Sequence, residues 1–350
     1  MRRETEVALS SLTTLGLGGP VDVLLTAETE PELVAAVLAD DQATVIGGGS
    51  NLVIPDSGLR GTVIQIATQG IAVVGDGLEV AAGQDWDGFV AHAVAQGRSG
   101  VEALSGIPGL TGATPVQNVG AYGQDVSHTV IRVRAVDRRR AEVVELTARD
   151  CAFAYRTSLF KQQPARWVVL SVVFALERDA LSAPVRYAEL ARAVGVELGD
   201  RAPISAVRSA VLRLRRGKGM VLDPADPDSR SAGSFFTNPV LDAGTVAALG
   251  ERFGPVPGWP DGAGATKVSA AWLIERSGFA KGWGIGPVGL SSKHVLALVN
   301  RGGATTADLV LVARAVRDGV RERTGVTLLP EPVFAGGWTL DSGQPVPVAR

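Results

Sequence analysis

The chain has 350 residues and a net charge of −2, with 46% hydrophobic and 20% charged residues, which is the composition of a globular protein with room for two or three domains. The balanced charge gives no electrostatic reason to expect a nucleic-acid partner. A single cysteine, Cys151, excludes an intrachain disulfide and suits a reducing compartment.

The apolar runs have the length of strands. Residues 168–176, among the longest, are far too short to span a bilayer, and the opening MRRETEVALS lacks the apolar stretch of a signal peptide. We therefore expect a cytoplasmic protein without a membrane partner.

Strand-like and helix-like segments alternate at the start of the chain. Residues 21–25, 43–47 and 61–67 resemble buried strands, and residues 30–39 have helical spacing with an acidic first turn. This alternation predicts an α/β or α+β unit.

The following segment is richer in strands. Residues 71–83 predict a hairpin around Gly-Asp-Gly, residues 131–148 two strands around a charged turn, and residues 167–176 a buried strand. A helix over 86–97 ends at Gly97. We expect a second sheet packed by helices.

The last part is predominantly helical. Residues 203–217 form an amphipathic pattern, and residues 219–233, rich in Pro, Asp and Gly, predict a mobile loop. Further predicted elements are helices in 242–254, 269–278 and 305–325 and a strand over 327–334.

Two glycine clusters stand out. In GGGSNLV (47–53) a strand runs into three glycines whose bare amides could approach anionic oxygens, although a tight structural loop explains the cluster equally well. The second cluster, residues 105–125, is a long segment without periodicity, which is typical of a functional loop, with a structural Ω-loop as the alternative. Two such loops suit a ligand with a pyrophosphate, such as a dinucleotide.

Other chemistries find less support. His92, His128 and His294 are widely spaced and, with one cysteine, make no recognisable metal site. Ser234 lacks the GxSxG elbow of a hydrolase nucleophile, so the residues alone leave it as a turn hydroxyl or a proton donor. Glu331, between two prolines in an apolar segment, should be protonated or meet a cation, and a structural ion pair with Arg156 is the simplest interpretation.

Seven stretches together resemble one family, the UDP-N-acetylenolpyruvoylglucosamine reductases of bacterial peptidoglycan synthesis. They run in family order along nearly the whole chain: TTLGLGGP (13–20), GGGSNLV (47–53), SGIPGLTGATPVQNVGAYG (105–123), AYRTSLF (154–160), AGSFFTNP (232–239), AAWLIE (270–275) and PEP (330–332). PVRYAEL (184–190) is similar to the tyrosine-bearing loop of the family's first type.

The resemblance implies an α+β fold with a two-subdomain FAD-binding domain of the vanillyl-alcohol-oxidase/PCMH type and a smaller C-terminal α/β substrate domain. The expected boundaries are 1–70 for the first FAD-binding subdomain, with 327–350 returning to it, 71–202 for the second, and 203–326 for the substrate domain.

The resemblance also implies an activity and its site. NADPH would reduce noncovalently bound FAD, and the enolpyruvyl UDP-sugar would then be reduced by a monomeric enzyme. Arg156 and Glu331 would stabilise the developing enolate, and Ser234 would donate the proton. Substrate contacts are expected from Tyr187, Arg215, Lys218 and Asn238. The expected FAD contacts are Gly47, Gly48, Gly49, Ser50, Asn51, Leu52, Gly106, Pro108, Gly109, Gly112, Ala113, Gln117, Asn118, Gly120, Ala121, Tyr122 and Gly123.

Two departures from the family pattern affect the substrate contacts. KGMVLDP (218–224) is longer than the family's usual segment, which shifts the alignment of Arg215 and Lys218, and Thr237 replaces a frequent lysine. One alternative is another FAD-dependent oxidoreductase of the same superfamily that acts on a sugar or alcohol, and AGSFFTNP (232–239) with PEP (330–332) argues against it. A second alternative is a nucleotide-binding module without catalysis, and the presence of Arg156, Ser234 and Glu331 together argues against that.

Overall fold

The computed structural model describes residues 1–262 and 264–342. Packing divides the chain into two compact units with interleaved sequence. The first unit comprises residues 1–7, 21–49 and 60–217, and the second comprises 8–20, 50–59 and the chain from 218 onward. The three-part division predicted from the sequence differs in assigning 203–217 to the substrate domain, and it stays a prediction. Residues 343–350 of the predicted returning segment lie outside the described residues.

The helices of the first unit are α1 (Glu30–Ala39), α2 (Trp86–Ala95), α3 (Leu159–Gln162), α4 (Ala188–Val194) and α5 (Ile204–Arg216). Those of the second are α6 (Ala243–Phe253), α7 (Ala270–Arg276) and α8 (Thr306–Thr324). Short 3₁₀ turns occupy Leu9–Leu12, Glu102–Leu104, Thr111–Ala113, Val126–His128 and Pro227–Ser229.

The first unit contains two larger sheets. One has the order Arg2–Ala8, Pro20–Ala27, Leu59–Ile66, Thr44–Ile46, and its last two strands are parallel. The other is antiparallel, in the order Glu142–Thr147, Val130–Asp137, Trp167–Phe174, Gly77–Ala81, Ile71–Val74. Two-residue pairs join Gly120–Ala121 to Gln124–Asp125 and Arg98–Ser99 to Glu177–Arg178.

Amphipathic helices close the cores of this unit. Side chains of α2 pack against the antiparallel sheet, where Trp86, Phe89 and Phe174 form one buried aromatic group. Cys151 is buried in the same core, and burial raises the pKa of its thiol to about 12. The apolar face of α5 packs with α4 and the 3₁₀ turn at residues 102–104. The predicted amphipathic helix is therefore confirmed.

The second unit has smaller sheets around one core. Their strands are Val240–Leu241, Thr266–Val268 and Gly258–Pro260; Gly284–Ile285, Val288–Leu290 and Leu298–Asn300; and the parallel pair Leu52–Val53 with Val333–Phe334. The helix α8 begins with a capping box of Thr305 and Asp308 and ends at Gly325, as its sequence predicts.

Two predictions for this unit need correction. The strand predicted over 327–334 is reduced to Val333–Phe334, because Pro330 and Pro332 carry no N–H to donate to a ladder. The loop at 219–233 contains the 3₁₀ turn Pro227–Ser229 and is anchored, since the buried Asp228 carboxylate accepts hydrogen bonds from the Ser292 amide at 3.1 Å and from the Ser292 hydroxyl at 2.5 Å.

Candidate active site

The two glycine-rich loops of the first unit meet backbone to backbone. A Cβ atom added to Gly48 would lie 3.0 Å from the Cα atom of Gly109, and one added to Gly47 would contact Leu110 at 3.6 Å. Loops so close accommodate glycine but leave little room for a larger residue at position 48. Both loops were predicted from the sequence to contact a ligand with a pyrophosphate, and the fold brings them together.

The first loop keeps backbone donors available. Among the hydrogen bonds of the described residues, none is donated by the amides of Gly48 or Gly49. Unused N–H groups on a glycine loop form a concave site for anionic oxygens. These residues therefore fit the pyrophosphate of FAD.

Other glycines of the second loop make hydrogen bonds and close contacts within the protein. The Gly112 amide donates to the Ala82 carbonyl at 2.8 Å, and a Cβ there would meet the Ala82 side chain at 2.5 Å. The Gly106 amide donates to Asp87 at 2.6 Å. Pro108 and Gln117 are half-buried between these contacts, whereas Ala113 is exposed. The loop is thus held firmly at its base.

Asn118 is a buried residue whose side chain is engaged inside the protein. Its Nδ2 donates to the Ala154 carbonyl at 3.3 Å, and its Oδ1 accepts from the Ser127 amide at 3.1 Å. The sequence suggested a cofactor contact for this residue. Its side chain ties the second glycine-rich loop to the turn that carries Arg156, and the cofactor contact stays a prediction.

That turn holds Arg156 in an uncommon conformation. Arg156 has a φ of 54°, in the left-handed region, inside a tight turn closed by two hydrogen bonds between Ala154 and Thr157 of 3.0 and 3.2 Å. The Lys161 ammonium donates to the Arg156 carbonyl at 3.0 Å.

A second arginine lies near the first. Arg215, in the last turn of α5, is only 9% exposed, and burial lowers the pKa of its guanidinium to about 10, with Tyr122 and Asp87 opposing the shift and Arg156 adding to it. Two guanidinium groups in one region of the first unit favour an anionic ligand, such as a carboxylate or a diphosphate.

Two tyrosines accompany these arginines. The rings of Tyr122 and Tyr187 are in edge-to-face contact with centroids 5.4 Å apart. Burial raises the pKa of Tyr122 to about 12 and also raises that of Tyr187. Gly120 and Ala121 lie in the strand that leads to Tyr122, and a Cβ on Gly123 would contact Arg186 beside Tyr187 at 3.5 Å. The glycine-rich loop therefore packs against the tyrosine-bearing loop.

In the second unit, the segment that contains Ser234 lies beside the segment that contains Glu331. The segment around Ser234 runs antiparallel to the one around Glu331, because the Glu331 amide donates to the Phe235 carbonyl at 2.8 Å and the Thr237 amide to the Leu329 carbonyl at 3.0 Å. Ser234 and Glu331 are both half-buried. Two segments about 97 positions apart thus lie side by side.

Two buried rings fix the segment that contains Ser234. Phe235 and Phe236 are each 1% exposed, contact each other edge to face, and belong to the core of the second unit. The Phe235 amide donates to the Leu296 carbonyl at 2.7 Å. The rings thus anchor the backbone that directly follows Ser234.

Asn51 connects the first glycine-rich loop to Glu331. Its Nδ2 donates to the Glu331 carbonyl at 3.4 Å, and its own carbonyl accepts from the Val333 amide at 2.9 Å. Leu52 follows in the short parallel strand pair, and the Ser50 carbonyl accepts from the Thr14 hydroxyl at 3.5 Å. Asn51 therefore has a structural role that the sequence did not reveal.

Asn238 and Lys218 are the remaining residues of this unit that were predicted from the sequence to contact the substrate. The Oδ1 of Asn238 accepts from the Ala270 amide at the start of α7 at 2.9 Å. Lys218 is half-buried and precedes Gly219, where a Cβ would lie 2.8 Å from that of Asp228.

Membrane-spanning helices and metal-binding clusters are both absent from the described residues. No helix within 1–262 and 264–342 has the length and apolar character needed to cross a membrane. In the same ranges, no group of His, Cys, Asp and Glu side chains is arranged to hold a metal ion.

Comparison with known proteins gives matches along nearly the whole chain. Residues 21–147 match the model of an FAD binding domain, and residues 224–335 match that of the UDP-N-acetylenolpyruvoylglucosamine reductase C-terminal domain. The combination of these two domains with mixed helices and sheets confirms the predicted α+β fold class.

Individual relatives extend this similarity. The chain is 56% identical over 346 residues to UDP-N-acetylenolpyruvoylglucosamine reductase of Thermobifida fusca, covering 94% of this chain and 97% of the relative. It is 57% identical over 344 residues to that of Streptomyces coelicolor, covering 95% and 90%. The crystal structure of UDP-N-acetylenolpyruvylglucosamine reductase from Thermus caldophilus is similar with a TM-score of 0.66 and 26% identity, covering 95% of this chain and 98% of that one.

Proposed function

Because the chain belongs to the UDP-N-acetylenolpyruvoylglucosamine reductase family, we propose that Arg156, Ser234 and Glu331 carry out the reduction for which the family is named. The protein is a flavin-dependent oxidoreductase that uses FAD and NADPH to reduce UDP-N-acetylglucosamine enolpyruvate to UDP-N-acetylmuramate in peptidoglycan precursor synthesis. Bound FAD supplies the hydride that reduces the substrate double bond. The steps that follow are those of the chain's own residues.

The glycine-rich loops would hold the cofactor. Close approach of Gly48 to Gly109 and the unused amides of Gly48 and Gly49 support a backbone cradle for the pyrophosphate. The contacts of Gly106, Gly112 and Asn118 within the protein support a role in shaping that cradle, so that only part of the second loop would touch FAD.

Arg156 and Glu331 would stabilise negative charge. Reduction of the enolpyruvyl double bond at its methylene carbon leaves charge on the adjacent carbon and the carboxylate, as an enolate. A fixed guanidinium and a protonated carboxyl group, placed before the reaction, lower the energy of that charge without reorganisation. The constrained turn of Arg156 and the backbone bonds on both sides of Glu331 support such preorganisation.

Ser234 would complete the reaction by donating its proton to the carbon next to the carboxylate. An ordinary serine hydroxyl suffices as the donor, because the developing carbanion is more basic than the alkoxide that remains after the proton is transferred. The observation that supports this assignment is the 2.8 Å bond from the Glu331 amide to the Phe235 carbonyl, which holds the backbone next to Ser234 against that of Glu331.

The UDP-sugar would meet four residues. Arg215 lies near Arg156 and suits the diphosphate or carboxylate, and Tyr187, half-exposed beside Tyr122, would close over the ligand. Lys218 and the Nδ2 of Asn238 would add donors from the second unit. We further propose that the enzyme acts as a cytoplasmic monomer with the domain boundaries expected from its sequence.

A spectroscopic titration tests this function. The purified protein should show the visible absorption of bound flavin, which NADPH bleaches under anaerobic conditions. Adding the enolpyruvyl UDP-sugar should then restore the oxidised spectrum. Absence of flavin, or reduced flavin that this substrate never reoxidises, would overturn the proposal.

A further inference from the structure

The first turn of α2 frames the entry to the second glycine-rich loop. The Trp86 amide donates to the Gly109 carbonyl at 3.1 Å, and its indole Nε1 donates to the Leu104 carbonyl at 3.0 Å. The next residue, Asp87, accepts from the Gly106 amide at 2.6 Å. Two consecutive residues therefore fix the backbone of this loop at three points.

The same carboxylate forms a two-point ion pair with α5. Nη1 of Arg208 lies 2.6 Å from Oδ1 of Asp87, and Nη2 lies 2.9 Å from Oδ2. Burial disfavours the charged carboxylate, but the hydrogen bonds from Arg208 and the Gly106 amide outweigh it and hold the pKa of Asp87 below its ordinary value. A fork-to-carboxylate pair fixes orientation as well as distance.

Arg208 shares a helix face with Arg215. The two residues are seven positions apart on α5, close to two full turns, so their side chains leave the same side of the helix. Asp87 also attracts Arg215 electrostatically. Fixing Arg208 therefore sets the rotation of α5 and the direction in which Arg215 projects.

We propose that Asp87 is a positioning residue that aligns the cofactor loop, through Gly106, with the substrate-binding face of α5, through Arg208. The inference rests on the proposed function for the roles of the loop and of Arg215. It assigns no contact between Asp87 and the reacting atoms. Its carboxylate instead accepts hydrogen bonds both from the loop proposed to hold FAD and from the helix that carries Arg215, the residue proposed to bind the UDP-sugar.

The chain offers a matched control for an ion pair that only stabilises the fold. In the same unit Arg166 makes a similar two-point pair with Asp137, with distances of 3.0 Å for Nε–Oδ1 and 2.5 Å for Nη2–Oδ2. Neither residue belongs to the candidate site. Loss of this pair should lower stability without a selective effect on either ligand.

The experiment compares Asp87→Asn with Asp137→Asn in the full-length holoenzyme. For Asp87→Asn we expect FAD release on dilution, followed by flavin fluorescence, to be about 10-fold faster, and the KM for the enolpyruvyl UDP-sugar to rise about 10-fold. Asp137→Asn should lower the Tm but leave both quantities near wild type. If Asp87→Asn changes only the Tm, or changes one ligand alone, the proposal is overturned.

Two further variants keep the test decisive if Asp87→Asn folds poorly. Arg208→Lys retains the charge but loses the bidentate pair with Asp87. It should weaken the binding of FAD and of the UDP-sugar to a smaller extent than Asp87→Asn does. Arg208→Met combined with Asp87→Asn should be no worse than Asp87→Asn alone, because Arg208 acts through that carboxylate; a further loss in the double variant would contradict the proposal. FAD release does not require turnover. A wild-type enzyme that fails to reduce the UDP-sugar would therefore contradict the proposed function and not the alignment of the loop.

Discussion

Arg156 occupies a backbone conformation that non-glycine residues rarely adopt. Its positive φ costs about 1–2 kcal/mol, and the turn is kept closed by the Ala154–Thr157 bonds and by the Lys161 ammonium on the Arg156 carbonyl. Asn118 adds a bond to the Ala154 carbonyl. The backbone that carries the guanidinium is therefore fixed before any ligand binds, in keeping with the proposed stabilisation of an enolate.

Ser234 offers the most direct test at this scale. Ser234→Ala should leave flavin reduction by NADPH unchanged but slow reoxidation by the UDP-sugar about 100-fold or more, because the proton donor is lost. Stopped-flow absorbance of the flavin separates the two half-reactions. Thr237→Val, which removes a hydroxyl from the same segment, should behave like wild type. Equal slowing of both half-reactions in Ser234→Ala would make the serine structural.

Glu331 should affect the same half-reaction. Glu331→Gln keeps the shape of the side chain and the backbone bonds to Phe235 and Asn51, but it weakens the hydrogen bond to the enolate, so reoxidation should slow about 10-fold or more. The measurement is again flavin reoxidation under single-turnover conditions. Reoxidation at the wild-type rate would remove Glu331 from the mechanism.

The sequence indicates candidate catalytic and binding residues, but it does not indicate the hydrogen-bond partners of their side chains. Ser234, Arg156 and Glu331 stand in recognisable stretches, but the side chains of Asn51 and Asn118 are directed to the carbonyls of Glu331 and Ala154, far away in sequence. A donor that the fold uses internally has the same sequence signature as one that binds a ligand. Only the three-dimensional pairing separates the two roles.

Among elements, the contact between the two glycine-rich loops depends on a single missing side chain. Gly48→Ala would place a methyl group 3.0 Å from the Gly109 backbone and force the loops apart. We expect the purified variant to retain much less flavin, measured as the ratio of flavin to protein absorbance. Gly250→Ala, on α6 with open space around the position, is the matched control and should retain flavin fully. Full flavin content in Gly48→Ala would argue against the cradle.

Elements with a strong local signal were predictable, and elements that depend on distant partners were not. The helix α1 matches its predicted range because its capping box and spacing are local. The strand predicted over 327–334 has the right composition, but its prolines limit ladder bonds, and its one regular strand, Val333–Phe334, pairs with a segment some 280 residues earlier. Pairing over such distances leaves no periodic trace in the sequence.

For the molecule as a whole, stability should depend on pH through buried carboxylates. The side chain of Asp137 is 1% exposed, and the hydrogen bonds from Arg166 hold its pKa below the ordinary value. A carboxylate with a lowered pKa in the folded state stabilises the fold above the unfolded-state pKa and loses this effect as pH falls through the folded-state pKa.

Asp137→Asn should therefore lower the Tm by about 3 °C at pH 7, and its difference from wild type should shrink as the pH falls below about 4. Thermal unfolding of both proteins between pH 7 and pH 3 measures this dependence. A difference that stays constant over the whole range would show that the ionised form of Asp137 contributes no stability.

The interleaving of the two units bears on how the protein is made. The second unit is built from residues 8–20 and 50–59 together with the chain from 218 onward. Its early segments bond to late ones, since the Asn300 side chain donates to the Leu15 carbonyl and Leu52–Val53 pair with Val333–Phe334. During synthesis those early segments must wait, exposing apolar side chains, until the last strand leaves the ribosome. A nascent chain stalled before Glu331 is thus both inactive and a substrate for chaperones.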